Sequence, residues 1–218
     1  MCQANSLKNA SKPSPNTLKT GHIISDQDKN DDKKDDDKKA GGIAKKLFDA
    51  RQILICEAID QKMASRVVSQ LLALAADNDD DITLFLNSQG GHVEAGDSIH
   101  DVIRFIKPRV KIVGTGWVAS AGTHIFLAVD KEDRVCLPNT RFLIHQPSGG
   151  VGGKVTDIAI QAEQIEIMRA RLARIISEQT GQKLEKVMKY IERDHWMDTK
   201  EAMDYGILSK VIHHASDL

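Results

Sequence analysis

Residues 82–91 read Ile82-Thr83-Leu84-Phe85-Leu86-Asn87-Ser88-Gln89-Gly90-Gly91. The first five are a dense apolar run, the mark of a strand buried on both faces, as in a parallel sheet. The next five end in two adjacent glycines, which let a backbone approach a ligand closely and leave N–H groups free to point outward. Such a turn can cradle a phosphate or hold an oxyanion. Its spacing is neither GxGxxG nor a P-loop, so a dinucleotide or ATP site is disfavoured.

Working outward, strands alternate with helices. Gln52 to Cys56 reads as a strand. Asp60 is placed to cap a helix carrying Met63, Val67, Leu71 and Leu74 at helical spacing. His92 to Ile106 is an amphipathic helix ended by Pro108. Val110 to Val113 is a strand, and the mostly apolar Val118 to Val129 reads as a core helix. Arg134 to Leu137 and Arg141 to Ile144 are strands. Val155 to Gln179 is one long helix with Ile158, Ile165, Met168, Leu172, Ile175 and Ile176 along its stripe. Leu184 to Ile191 and Lys200 to Tyr205 are short helices, and Val211 to His213 is a last strand. The class is α/β with parallel strands.

The first 42 residues differ in kind. Asp26 to Lys39 holds seven Asp and five Lys among fourteen positions. Such a run cannot bury enough apolar surface to offset the entropy of ordering. The expected organisation is a disordered charged tail over 1–42 and a globular domain over 43–218. The whole chain of 218 residues carries a net charge of −1, so no basic field argues for nucleic acid. No apolar stretch is long enough to span a membrane, and no secretory pattern opens the chain. Cys2, Cys56 and Cys136 are too few and too scattered for a disulfide scaffold or a CxxC zinc site.

Two further places carry chemistry. Gly114-Thr115-Gly116-Trp117-Val118-Ala119-Ser120-Ala121-Gly122 leads from a strand into an apolar helix. Small neighbours leave the Ser120 hydroxyl approachable, and a helix N-terminus favours developing negative charge. The stretch is not GxSxG, so a hydrolase nucleophile elbow is not indicated. His145 ends a strand and precedes the glycine-rich Gly149 to Gly153. His195, His213 and His214 are rival histidines, and none forms an HExxH pair. A serine nucleophile needs a base, and the base needs an orienting carboxylate. Residue types alone leave Asp130, Asp157, Asp194 and Asp198 open for that role.

Asn87 to Gly91, Gly116 to Gly122 (GWVASAG), Cys136 to Gly150 (CLPNTRFLIHQPSGG), Thr180 to Glu185 (TGQKLE) and the ERDHWM…EAMDYGI segment, in that order, resemble the Clp protease proteolytic subunit. The resemblance runs from about Leu47 to His213. It implies a crotonase-like ββα superhelix with a long handle helix. It implies a serine endopeptidase that stacks two heptameric rings, alone or mixed with a paralogue, around a chamber. A Clp-family AAA+ ATPase would feed it unfolded polypeptides in the cytoplasm, and no cofactor or metal is called for. By the same resemblance Ser120 is the nucleophile, His145 the base and Asp194 the acid. The oxyanion donors are the backbone N–H groups of Gly90 and Ala121. Gly149, Gly150, Val151, Gly152 and Gly153 form a strand that binds extended substrate.

Three positions depart from the family pattern. Gln89 stands where proline is usual, which makes the oxyanion turn less rigid. Ala121 stands where methionine is common, which shrinks a pocket wall. Trp117 replaces a usual glutamine and is expected to narrow the site. These departures and the unmatched tail support an alternative, a scaffold or regulatory subunit of a mixed ring. A third reading, an acyl-CoA enzyme on the same fold, leaves the three triad matches unexplained.

Overall fold

The computed structural model describes residues 41–150 and 152–218. The expected tail thus falls almost wholly outside the described residues. Residues 41–49 are helical (α1), so Gly41 and Gly42 belong to an element.

Strand β1 (Gln52–Ile55) enters the sheet and α2 (Gln61–Asp77) returns over it. The Asp60 carboxylate accepts the Met63 N–H at 2.7 Å, a cap worth about 1 kcal/mol. Met63, Val67, Leu71 and Leu74 face the core. At the other end the Arg51 guanidinium donates to the Leu74, Asn78 and Asp80 carbonyls, in and just beyond the last turn of α2.

Strand β2 (Ile82–Ser88) follows, then α3 (Val93–Phe105) and β3 (Val110–Ala119). Full burial of both β2 faces does not hold. Ile82, Leu84, Leu86 and Ser88 are buried, whereas Thr83, Phe85 and Asn87 are half-buried. Phe85 leans on a separate small cluster of Val113, Val135 and Ile212. Strand β3 is the larger correction. It continues through Gly116 to Ala119, where a helix was expected from Val118. A φ of +61° at Gly116 bends the strand. Its first half pairs with β4 (Arg134–Cys136) and its second half with β5 (Arg141–Ile144). Helix α4 shrinks to Ala121–Phe126. An unbroken apolar run carries no period with which to tell a buried strand from a buried helix.

The sheet order is β1-β2-β3-β4-β7, with β5 joined to the bent end of β3. All these pairings are parallel. The exception is β6 (His195–Met197), a three-residue strand antiparallel to β5 that the sequence reading passed over. Helix α5 (Val155–Thr180) is roughly 39 Å long. Ala173 and Ile176 in its C-terminal half are buried, while Val155, Ile158, Ile160 and Ile167 are exposed, Val155 at 84%. Helices α6 (Leu184–Tyr190) and α7 (Thr199–Tyr205) and strand β7 (Lys210–Val211) complete the order. Among the described residues no helix is long and apolar enough to cross a membrane.

Candidate active site

Three strand ends meet at one point. Strand β3 ends at Ala119, which pairs with Leu143 of β5, so Ser120 emerges beside the end of β5. Strand β6 pairs His195 with Ile144, so His145 and Asp194 face one another just past that pair. His145 Nε2 lies 2.7 Å from Ser120 Oγ. His145 Nδ1 lies 2.8 Å from Asp194 Oδ1. An ionised carboxylate only accepts, so Nδ1 carries the proton and Nε2 is free to take one from the hydroxyl.

The backbone holds each member in place. Ser120 sits at the N-cap of α4 with φ 57° and ψ −120°. For a residue other than glycine this costs of order 1–3 kcal/mol and is found where structure over-determines it. Two bonds do so here: the Ser120 N–H donates to the Leu143 carbonyl at 3.0 Å, and its own carbonyl accepts from His124 N–H at 3.2 Å. Ser120 therefore sits on a strained turn between β3 and α4, without the GxSxG spacing. After His145, the Gln146 N–H donates to Ile191 O at 2.7 Å and its side-chain amide to Glu192 O at 3.0 Å. These bonds tie the end of β5 to the segment that carries Asp194, which is itself 64% exposed.

The Gly90–Gly91 turn abuts the serine. A Cβ on Gly90 would stand 2.7 Å from Ser120 Cβ and from the Ala119 carbonyl. A Cβ on Gly91 would stand 2.2 Å from the Ile59 carbonyl. The Gly90 N–H, expected to be an oxyanion donor, donates to Ser88 Oγ at 3.1 Å in this structure. The N–H groups of Gly91 and Ala121 make no hydrogen bond among the described residues.

The other candidates lie elsewhere. Asp198 caps α7, accepting the Glu201 N–H at 2.8 Å. Asp157 is in the first turn of α5, and Asp130 flanks a short 3-10 turn. The His195 ring packs against Tyr190 at 4.4 Å. The backbone N–H groups of His213 and His214 donate to Asp217. Gly149, Gly150, Gly152 and Gly153 are exposed and form no strand here, and Val151 lies outside the described residues. Trp117, expected to narrow the site, is 41% exposed on β3 and does not bound the cavity beside Ser120.

That cavity has a volume of about 30 Å³. Ser120, Ala121 and His145 border it, with Val93, Ile144, Pro147, Leu172 and Ile176 as apolar wall. Thr123 and His124 of α4 also line it, and the sequence reading singled out neither. The only cue was their spacing on the helix that starts at Ser120.

Residues 35–215 match the family model described as Clp protease. The ATP-dependent Clp protease proteolytic subunit 3 of Rhizobium etli is 54% identical over 172 residues, 79% of this chain and 89% of the relative. The proteolytic subunit 2 of Pseudomonas aeruginosa is 49% identical over 176 residues, 79% of this chain and 88% of the relative. The solved structure of ClpP1 from Listeria monocytogenes superposes with a TM-score of 0.74 at 51% identity, covering 81% of this chain and 99% of that one. The fold is accordingly the crotonase-like ββα superhelix, with α5 as its handle helix.

Proposed function

This chain belongs to the Clp protease family, a family of peptidases, and from that premise we propose that it is itself an active serine endopeptidase subunit. Its substrates are unfolded polypeptides. The observation that carries this reading is the unbroken relay from Ser120 Oγ through His145 to Asp194, with bonds of 2.7 and 2.8 Å.

In this mechanism His145 Nε2 takes the Ser120 proton as Oγ attacks the peptide carbonyl. Asp194 holds the Nδ1–H tautomer and stabilises the imidazolium that forms. The carbonyl oxygen becomes an oxyanion, received by the Ala121 N–H at the start of α4 and by an N–H of the Gly90–Gly91 turn. The second donor is the Gly90 N–H, which rests on Ser88 Oγ at 3.1 Å in this structure and packs against Ser120. His145 then gives its proton to the leaving amine, and water attacks the acyl-enzyme by the same route in reverse. Gly149, Gly150, Gly152 and Gly153 are exposed and outside any strand, which suits them to pairing with an extended substrate.

The same reading assigns the chain to stacked heptameric rings fed by a AAA+ unfoldase in the cytoplasm. The exposed Val155, Ile158, Ile160 and Ile167 of α5 support a contact between opposed rings.

The test is labelling with a fluorophosphonate, followed by peptide mapping. Wild type is expected to carry one adduct, on Ser120, and His145→Ala to lose it. Ser120→Ala is expected to abolish peptide cleavage while leaving assembly intact. A folded, assembled wild type with no adduct overturns the active reading and leaves the scaffold subunit of a mixed ring.

A further inference from the structure

A second imidazole stands near Ser120. His124 lies one turn along α4, only 6% exposed, and borders the same cavity as Ser120 and His145. Its Nε2 is 2.9 Å from Asp97 Oδ1 on α3. The other oxygen of Asp97 accepts from the Arg171 guanidinium of α5 at 2.6 Å. Burial alone would raise the Asp97 carboxyl, but the hydrogen bonds from His124 and Arg171 outweigh it and hold it below the usual carboxylate range. The carboxylate is therefore ionised and only accepts, so Nε2 of His124 carries the proton. When the ring is neutral, Nδ1 bears the free lone pair. His100 stacks on the ring at 4.4 Å with 6° between the planes. Burial, and then the neighbouring His124, push the His100 imidazole down from its ordinary value, so it stacks uncharged at neutral pH. One bond at its edge and one stack on its face fix the orientation of His124.

The polar inventory of the cavity is short: Ser120, Thr123, His124 and His145. Ser120 and His145 are bonded to each other. Thr123 Oγ1 is taken up by the Val118 and Leu143 carbonyls at 2.9 and 2.8 Å. His124 Nδ1 has no partner among the described residues. A side chain entering the cavity meets apolar walls and the ring of His124, whose Nδ1 is uncommitted, beside the Ala121 N–H reserved for the oxyanion.

We propose that His124 is a specificity-determining residue: it selects, for the side chain on the carbonyl being attacked, a short uncharged group with an N–H or O–H donor, such as Thr or Asn. This rests on the serine-peptidase reading and adds the substrate class to it. A cavity with a fixed acceptor rejects an analogue that leaves that acceptor unpaired more strongly than an apolar cavity rejects a polar one.

The experiment uses two isosteric pairs of fluorogenic peptides, Thr against Val and Asn against Leu at the position before the cleaved bond. The assembled full-length chain is assayed, as wild type and as His124→Phe, which keeps the stack on His100 and loses both nitrogens. A ratio of kcat/KM values within a pair cancels any change in the amount of active enzyme. Wild type is expected to favour Thr and Asn, and His124→Phe to lower both ratios by at least roughly tenfold. Unchanged ratios in an active variant overturn the proposal. So does a wild-type preference for Val and Leu, whatever the variant does. If wild type cleaves no peptide and takes up no fluorophosphonate, the peptidase reading has failed and the proposal falls with it. Labelling of Ser120 separates that failure from a failure of specificity.

Discussion

Two glycine-rich stretches flank Ser120, and they are glycine-rich for opposite reasons. At Gly90 and Gly91 the backbone takes φ of +93° and +151°, and an added Cβ would collide with backbone at 2.7 and 2.2 Å. At Gly149, Gly150 and Gly152 an added Cβ would meet nothing within 4 Å. In the first stretch glycine is demanded by close packing, of Gly90 against Ser120 and of Gly91 against Ile59. In the second it leaves open backbone that the folded chain does not itself use. Composition is the same; one stretch is packed and the other is open.

The sharpest way to break that contrast is Gly90→Ala. The substitution forces a Cβ into contact with Ser120 and the Ala119 carbonyl at a left-handed φ, a strain of order 1–3 kcal/mol. Relief requires the turn to shift, and the oxyanion donors shift with it. Peptide cleavage is expected to fall by about a hundredfold or more, with thermal unfolding lower by a few degrees. Wild-type kinetics in this variant would show that the turn is not part of the oxyanion site. The counterpart is Gly150, tested in two steps. Gly150→Pro removes an N–H that β-addition would use. It is expected to raise KM several-fold, the scale of one hydrogen bond, with kcat little changed. Gly150→Ala keeps the N–H and is expected to move neither KM beyond twofold or so nor stability beyond about 0.5 kcal/mol. A large loss of stability in Gly150→Ala would show that the second stretch is packed after all.

The same division between local and distant determinants explains what the sequence disclosed. Helix α2 was legible because its cap and its core stripe lie within one short window, from Asp60 to Leu74. The junction of β3 and α4 was not. Val118 and Ala119 are small and apolar in either element, and only pairing with Phe142 and Leu143 makes them strand. Strand β6 is three residues long, too short for a period, and exists because β5 offers it an edge. Residue types left four aspartates open as partner of His145. Resemblance pointed to Asp194, and the antiparallel pairing of β5 with β6 brings that one alongside. Nothing in the chain order joins Asp97 to Arg171, 74 residues away, or to His124. That cluster is a product of three helices packing together.

The mildest test of packed against open backbone uses sulfur. Cys136 lies on β4, fully buried, and Cys56 is exposed just past β1. Burial pushes the Cys136 thiol up to about 11, with the Thr140 hydroxyl pulling it down only in part. At pH 8 a thiol with that value is ionised in about one molecule in a thousand, and the thiolate is the species that reacts. Burial removes access as well. Iodoacetamide at pH 8 is therefore expected to alkylate Cys56 in the native protein and to leave Cys136 untouched, with both reacting in urea, as read by mass mapping of the two peptides. Rapid native alkylation of Cys136 would mean that β4 opens from the sheet under native conditions. Since β4 pairs with the first half of the same bent strand whose second half presents Ser120, the rigidity argued for the nucleophile turn would then have to come from β5 alone.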